Sequence, residues 1–451
     1  MKMQATMRLP EKRLQLGSLG VAALLTSQAV AQQTPQSAMP QAPRAPTIEA
    51  LANANSLDHA DEGLKAPELA GSMELNLQTA DGQDNDVQRQ RNTGEAEVQL
   101  TLEYEQQLGP THSIEARLQL ASRRFSQDAL NNEDEEFSYK LERLFYQWDP
   151  DRALRVRAGR FSLDDPMETI IDEDLDGVRL TYEQEGIEWD ISQTRKDWFE
   201  AGTLERLDQI TNTMVSVQFS PEKGTRWMPY ILHRATEQFE NIPEAEAVWL
   251  GIQGIVRPDN SPIRYWVHGS ILDGEEIDDE TSEFGGYLLD VGINWTTRGS
   301  FEPTYTLAIA HATGGARADR FRQSGLHSND FALNGKNSFR YLGEVMDPEL
   351  TNIQIVTVGA GFNLSRSWST DIALHHYSQV EIEDSLRGSD VEFDPLGESA
   401  ELGYGADIVL AYDPDRPYDI KGTAGLFEPG DAFENEQEMA WLAKIELSYD
   451  F

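Results

Sequence analysis

The chain has 451 residues, and its 37 basic and 78 acidic side chains give a net charge of −41 at pH 7. It contains no cysteine, which excludes a disulfide scaffold, a thiolate metal site and a thiol nucleophile. Because so acidic a chain repels phosphate, we expect no nucleic acid partner.

The first 31 residues predict a secretory signal peptide. Four basic residues within the first 13 precede a largely apolar run at residues 16–25, and Ala29-Val30-Ala31 supplies the small residues of a cleavage site. Residues 32–70 are predicted to be a flexible periplasmic segment, since residues 32–47 are rich in Gln, Pro and Ala. No later stretch reaches the ~18 apolar residues that a membrane-spanning helix needs. The exported part is therefore either soluble or a β-barrel.

From residue 71 onward, apolar and polar side chains alternate in short segments separated by turns. Val98, Leu100, Leu102 and Tyr104 alternate with polar residues as far as the turn at residues 108–111. Such alternation places the apolar set on one face of a strand and the polar set on the other. Short turns alternate with long polar loops, such as residues 126–136, and eighteen strands can be counted. This sorting predicts an all-β fold, a transmembrane antiparallel β-barrel of about 18 strands at residues 71–451, with short periplasmic turns and long extracellular loops.

The last segment, residues 437–451, shows the alternation most fully. Apolar residues occupy every second position from Trp441 to Phe451, with Lys444, Glu446 and Ser448 between them. One such segment would suit a buried strand of a soluble sandwich equally well, but the sorted loops favour a barrel. Aromatic residues near strand ends are expected to form girdles at the membrane interfaces: Tyr104, Trp148, Trp189, Trp266, Trp295, Trp368, Tyr412 and Tyr449.

Several arginines belong to the polar sets of these strands and are predicted to face the barrel interior: Arg117, Arg123, Arg143, Arg155, Arg157, Arg179 and Arg264. A cationic side chain facing lipid near the middle of a strand would cost about 2 to 4 kcal/mol. Guanidinium groups stay charged and bind carboxylates through two parallel hydrogen bonds, so a ring of them selects acidic solutes. The alternative is that the arginines brace the wall through ion pairs with inward acidic residues, and both interpretations stay open. The inward acidic residues are Glu103, Glu115, Glu188, Asp190 and Glu446.

Motifs for catalysis or metal binding are weak. The acidic run from Asp172 to Asp176 has the spacing of a calcium-binding helix-loop-helix motif, but Val178 and Leu180 alternate as in a strand, so we interpret it as a chance match. His375 and His376 are adjacent and point to opposite faces of a strand. With no nucleophile elbow, phosphate loop or dinucleotide signature, we expect no enzymatic activity, no metal and no cofactor.

Six short segments of the chain are similar to the alginate export porin family of the outer membrane: residues 158–160 (AGR), 321–329 (FRQSGLHSN), 339–344 (FRYLGE), 347–352 (DPELTN), 386–389 (LRGS) and 427–433 (FEPGDAF). The resemblance implies an eighteen-stranded monomeric barrel whose arginine-rich constriction passes the polyuronate alginate from the periplasm to the exterior. It implies Arg155, Arg157, Arg179 and Arg340 as constriction residues, and Arg322 and His327 as residues that hold a long loop in place. The chain departs from the family in one connection. Family members from dedicated alginate producers carry a long periplasmic connection between the sixteenth and seventeenth strands, whereas here this connection is only residues 413–417.

The hypothesis is therefore an outer-membrane channel that passes an anionic polysaccharide, such as alginate, through an arginine-lined pore. Lipid and lipopolysaccharide would surround it, and a separate periplasmic export partner is left open. The alternative is a structural or adhesive barrel whose acidic outer loops, such as residues 275–283, contact divalent cations or a neighbouring molecule. A membrane-embedded hydrolase is a third hypothesis, which turnover of a lipid ester would support.

Overall fold

The computed structural model describes these residues: 66–81, 93–127, 132–195, 210–237, 244–277, 281–315, 319–391, 393–414, 416–434 and 437–451. The predicted signal peptide and nearly all of the predicted periplasmic segment lie outside them. Within the described ranges, no helix is long and apolar enough to cross a membrane.

The described residues form twenty strands: β1 (Glu68–Asp81), β2 (Thr93–Gly109), β3 (His112–Gln127), β4 (Asn132–Trp148), β5 (Leu154–Asp164), β6 (Asp172–Gln184), β7 (Ile187–Arg195), β8 (Ile210–Phe219), β9 (Thr225–Thr236), β10 (Glu244–Val256), β11 (Ile263–Ile277), β12 (Thr281–Thr296), β13 (Thr304–Ala312), β14 (Asp330–Phe331), β15 (Phe339–Arg340), β16 (Ile353–Asn363), β17 (Trp368–Gln379), β18 (Glu401–Tyr412), β19 (Tyr418–Pro429) and β20 (Ala440–Asp450).

Eighteen of these strands form one closed antiparallel sheet, and β14 pairs only with β15. Each strand of the large sheet pairs with its neighbours along the chain, and β20 returns to pair with β1, for example Leu75 with Leu447. Closure leaves no free sheet edge, which is what lipid requires of a β-structure. The prediction of an antiparallel barrel of about 18 strands is confirmed.

The connections are sorted by length between the two barrel ends. The two exceptions are those that follow β3 and β11, which are short although they lie at the end of the long connections. The end that carries short turns includes residues 110–111, 185–186 and 364–367, and the opposite end carries the connection from β13 to β16. The predicted loops at residues 126–136 and 275–283 were wrong in extent. The structure places β3 and β4 as far as Gln127 and Asn132, and β11 and β12 as far as Ile277 and Thr281, leaving residues 128–131 and 278–280 outside the described chain. Polar side chains pair across strands as well as apolar ones do, so the ladders continue past the apolar belt.

The outer face of the barrel carries the apolar set of each strand, as the alternation predicts. Ile445, Tyr449 and Phe451 are exposed on it, and six of the eight aromatics expected in the girdles are exposed, while Tyr412 is half-buried. Trp266 was assigned wrongly, because it is fully buried inside the barrel, where its indole Nε1 donates to Asp290 Oδ1 at 3.2 Å. The facing residue Gly292 lacks a side chain, and this makes room for the indole ring.

Two inward-folded connections fill part of the barrel interior. We call the described residues 313–315 and 319–352 the inner loop and residues 165–171 the small loop. Both contribute to one buried apolar cluster, with Met167, Ile170, Phe321, Leu333 and Leu350 at most 1% exposed. They pack against strands such as β9 to β13, whose buried inward residues include both apolar and polar side chains, such as Trp249 and His268. The charged inward residues of β2 to β7 lie on another part of the wall.

Candidate functional site: the charged barrel interior

Six of the eight arginines predicted to line a pore lie on four consecutive strands, β3 to β6. Arg117 and Arg123 belong to β3, Arg143 to β4, Arg155 and Arg157 to β5, and Arg179 to β6. Each occupies an inward position, because the residues beside it in the strand carry the exposed apolar set. The strand period of two therefore accounts for their common orientation.

Most of these arginines form salt bridges with carboxylates on the neighbouring wall. Arg117 Nε lies 2.9 Å from Glu142 and 3.3 Å from Glu103. The other pairs are Arg123 with Glu95 and Glu97 (2.8 and 2.7 Å), Arg143 with Glu115 (3.5 Å), Arg155 with Asp149 (3.3 Å) and Arg179 with Asp190 (2.6 Å). The wall-bracing interpretation thus accounts for part of each side chain's role.

Arg157 differs from these neighbours. Its Nε donates to Gln147 Oε1 at 2.9 Å, and its guanidinium carbon lies 5.0 Å from the centre of the Phe145 ring. Among the described residues it forms no salt bridge. Its terminal nitrogens therefore remain free to bind a carboxylate brought in by a solute.

Two pairs of arginines lie directly opposite each other across neighbouring strands. Arg117 faces Arg143 in the β3–β4 ladder, and Arg157 faces Arg179 in the β5–β6 ladder. Like charges at directly opposed positions destabilise a sheet. Stability alone therefore does not explain this arrangement, and such departures from good packing commonly mark functional sites.

Arg264 and Arg340 lie apart from this group and contact the inner loop. Arg264 belongs to the wall strand β11, and its guanidinium lies 5.1 Å from the centre of the Phe331 ring of the inner loop. Arg340 belongs to the inner loop itself and pairs with Asp347 at 3.2 Å and Asp390 at 2.5 Å. The structure thus divides the predicted set into six wall arginines, one arginine beneath the inner loop and one within it.

Hydrogen bonds to several wall strands anchor the inner loop, and three groups of them involve the buried wall aspartates Asp290, Asp407 and Asp371. Tyr341 Oη donates to Asp290 Oδ2 at 2.7 Å, and the same carboxyl accepts from Trp266. The Glu344 amide donates to Asp407, whose other oxygen lies 2.9 Å from His375 Nε2. Near the end that carries the short turns, Asn337 donates to Asp371 through its amide and side-chain nitrogens at 3.0 and 2.6 Å. The loop therefore runs from one barrel end almost to the other.

The small loop is organised by one carboxyl group. Asp165 accepts hydrogen bonds from the backbone amides of Met167, Thr169, Ile170 and Ile171, and Gln253 of the wall donates to it at 2.6 Å. Four amides that no helix or sheet partner satisfies are thereby paired inside the barrel. A bridge between Ile171 and Leu326 then joins this loop to the inner loop.

The residues expected to hold the long loop do contact its surroundings. Arg322 lies 3.5 Å from Glu276 and 4.6 Å from the centre of the Phe284 ring, and its carbonyl accepts from the Trp249 indole. Burial lowers the pKa of His327 to about 4, so this side chain is neutral at physiological pH. Arg234 lies beside Gly325 of the inner loop, while Arg195 lies 3.9 Å from Glu237.

Carboxyl groups of the inward loops have raised pKa values. Burial raises the pKa of Glu344 to about 7, and nearby Asp407 adds to the shift. Burial likewise raises the pKa of Asp347 to about 7 against the opposing effect of Arg340, and that of Glu168 in the small loop to about 7. The packing of both loops is therefore coupled to protonation near neutral pH.

Two lysines that were not among the predicted site residues also face the interior. Lys421 of β19 lies 3.6 Å from Glu446, and Lys444 of β20 lies 3.0 Å from the same carboxylate. Burial raises the pKa of Asp330 in the inner loop, and Lys421, Arg340 and Lys444 act in the opposite direction. The polar positions of the last strand already indicated Lys444, but its approach to the inner loop depends on the folded chain.

No three His, Asp or Glu side chains converge as metal ligands within the described ranges. The acidic run from Asp172 to Asp176, which resembles a calcium loop in spacing, lies within strand β6.

Comparison with known proteins agrees with this architecture. The family described as alginate export matches residues 72–441. The alginate production protein AlgE of Pseudomonas aeruginosa is 22% identical over 238 residues, which cover 45% of this chain and 49% of AlgE. The chain thus spans about half the length of that curated relative in the match.

Solved barrels of Pseudomonas aeruginosa share the fold. OccK7 (OpdD) has a TM-score of 0.57 at 12% identity, covering 86% of this chain and 99% of its own. The outer membrane protein OprD has a TM-score of 0.55 at 10% identity, covering 87% and 95%. At such low identity these structures support the fold alone. The closed eighteen-stranded sheet and the match over residues 72–441 together show that this chain belongs to the alginate export family of outer-membrane β-barrels.

Proposed function

We propose that the protein is a channel through which an anionic polysaccharide crosses the outer membrane, with alginate as the first candidate. Membership of the alginate export family and the barrel fold support a channel in preference to an enzyme. The name of AlgE describes a role in alginate production and supports the same class of solute.

The observation that carries the proposal is the opposed pair Arg157 and Arg179 on the inner wall. Arg157 lacks a carboxylate partner among the described residues, and Arg179 is the residue directly across the ladder. A uronate carboxylate between them would satisfy the free guanidinium and relieve the repulsion between like charges. Both effects favour an acidic sugar over a neutral one.

The paired arginines give such a path a second useful property. Arg117, Arg143 and Arg179 each keep a wall carboxylate within 3.5 Å, so their attraction for a passing anion is reduced. Conduction requires binding that is strong enough for entry and weak enough for exit. A wall of partly neutralised arginines with a free Arg157 among them meets both requirements.

Planar-bilayer recordings of the purified protein test the proposal. Oligomannuronate should block the open channel, whereas a neutral oligosaccharide of the same length should block it much less. Because a hydrogen bond to a charged group contributes about 1.5 to 3 kcal/mol, Arg157→Gln should weaken the block roughly tenfold to a hundredfold. Arg157→Lys keeps the charge but loses the two-pronged geometry, so it should recover only part of the affinity.

Arg152→Gln is the matched control, because Arg152 lies in the exposed turn of the same hairpin. Its block constant should equal that of the wild-type protein. An open channel that acidic and neutral oligosaccharides block equally would overturn the arginine-based selectivity. A protein that never conducts would support the structural or adhesive barrel instead.

A further inference from the structure

A polar cavity lies at the barrel end that carries the short turns. Its volume is about 620 Å³, within the range of ordinary ligand sites. Its lining comes from the turns at residues 297–303 and 364–367, from Asp413, and from Gly335 and Lys336 of the inner loop. The part of the inner loop that lies nearest the short turns thus forms one wall of a cavity at the mouth of the barrel.

Two basic side chains line this cavity without a salt bridge among the described residues. Lys336 is half-buried on the inner loop, and Arg366 is exposed in the turn between β16 and β17. Asp371 lies near Lys336 without forming a salt bridge to it, and its Oδ2 atom accepts two hydrogen bonds from Asn337. Both cations therefore retain most of their capacity to bind an added anion.

The same cavity contains acceptors and hydroxyl groups. Glu302 and Asp413 contribute carboxylates, and Asn363 holds Glu302 in position through a hydrogen bond of 2.8 Å. Ser369 donates to Asn337 of the inner loop at 3.0 Å and leaves its oxygen free as an acceptor. Two cations and two carboxylates together give the lining no net charge.

We propose that this cavity is a binding site for one end of an acidic saccharide, occupied before the chain enters the barrel. This inference rests on the proposed function and adds to it a specific entrance site. A uronic acid carries one carboxylate and several hydroxyl groups on the same ring. Lys336 and Arg366 would bind the carboxylate, while Glu302 and Asp413 would accept hydrogen bonds from the hydroxyls.

The mixed charge separates this ligand from simpler ones. A small inorganic anion would meet two cations but also two repelling carboxylates, and a neutral sugar would leave both cations without a partner. Only a ligand with acidic and hydroxyl groups uses the whole lining. Sulfate and a neutral oligosaccharide are therefore the competitors that the experiment must include.

Side-resolved block in a planar bilayer tests the site in the full-length protein. Oligomannuronate is added either on the side of the short turns or on the side of the long loops, and the block constant is measured for each. The double variant Lys336→Met with Arg366→Gln should weaken block from the short-turn side by about tenfold or more, since two charge-assisted contacts are lost. Block from the long-loop side should keep its wild-type constant.

Lys223→Met is the matched control, because it removes one positive charge from an exposed turn at the same end but outside the cavity lining. It should leave both block constants unchanged. If the double variant alters neither side while wild-type block persists, the entrance site is wrong and the channel function stands. If wild-type protein is blocked from neither side, the proposed function itself fails. Equal competition by sulfate or by a neutral oligosaccharide would also overturn the assignment to a uronate.

Discussion

The contact between Tyr341 and Asp290 offers a sharp test of how the inner loop is held. Tyr341→Phe removes only the hydroxyl that donates to Asp290 Oδ2 at 2.7 Å. The ring stays packed against Phe331, whose centre lies 5.7 Å away. The 1% exposed Asp290 would then keep only the longer bond from Trp266. Loss of a buried partner costs about 1 to 3 kcal/mol.

That loss should appear as local opening of the inner loop. Since each 1.4 kcal/mol changes an equilibrium about tenfold, amides of residues 339–346 should exchange with deuterium roughly five to a hundred times faster. Hydrogen exchange followed by mass spectrometry measures this, and strand amides of β16 and β17 serve as internal references. Their rates should not change.

Tyr287→Phe provides the matched control, because Tyr287 is 51% exposed on the outer face of the barrel. It should leave exchange in the inner loop unaltered. Wild-type exchange in the Tyr341→Phe variant would refute the reasoning, since the loop would then be held without this bond. Faster exchange throughout the barrel would instead show that the hydroxyl stabilises the whole fold.

Two further predictions concern packing and pH. Gly292→Ala should lower the thermal unfolding temperature, because its new methyl group would lie 2.0 Å from the Trp266 ring and overpacking costs about 1 to 3 kcal/mol. Gly422→Ala is the control and should have little effect, since only a backbone oxygen at 3.9 Å lies near its new methyl group. An unchanged unfolding temperature in Gly292→Ala would contradict the packing of Trp266 against Gly292. Glu344 has a pKa of about 7 in the folded loop and 4.5 as its ordinary value, so the folded loop binds the proton more tightly between these values. Loop stability should therefore fall as pH rises through this window, and exchange corrected for its intrinsic rate should quicken. Glu344→Gln should make that dependence shallower, with Asp347 supplying the remainder, and an equally steep profile in the variant would exclude Glu344 as a source.

The periodicity of the strands made most of the barrel predictable. Alternation over residues 98–104 and 441–451 already separates lipid-facing from inward side chains, and the structure keeps both assignments. The same rule brought six wall arginines to one face. The girdle expectation failed at Trp266, which shares the inward parity of Arg264, because a large apolar ring can also fill space inside a barrel when a glycine faces it.

The arrangement inside the barrel was less accessible from the sequence. Inward orientation follows from parity, but a salt bridge depends on register, which pairs Arg117 with Glu103 and sets Arg157 opposite Arg179. The resemblance pointed to residues 321–352 and implied Arg340 of this block as a constriction residue, but it did not indicate which groups of the wall hold the block in place. Hydrogen bonds to Asp290, Asp371 and Asp407, which lie on distant strands, decide that path.

By itself, the sequence determined that the chain alternates with a period of two, that its turns are sorted by length, and that its arginines share the polar face. These are local properties, since each depends on neighbours a few residues away. Only the tertiary structure decided which arginines are paired with carboxylates, where the inner loop lies and that its residues Gly335 and Lys336 reach the cavity at the end of the barrel that carries the short turns. Those features depend on contacts between residues more than a hundred positions apart in some cases, and no local pattern encodes the distances among them.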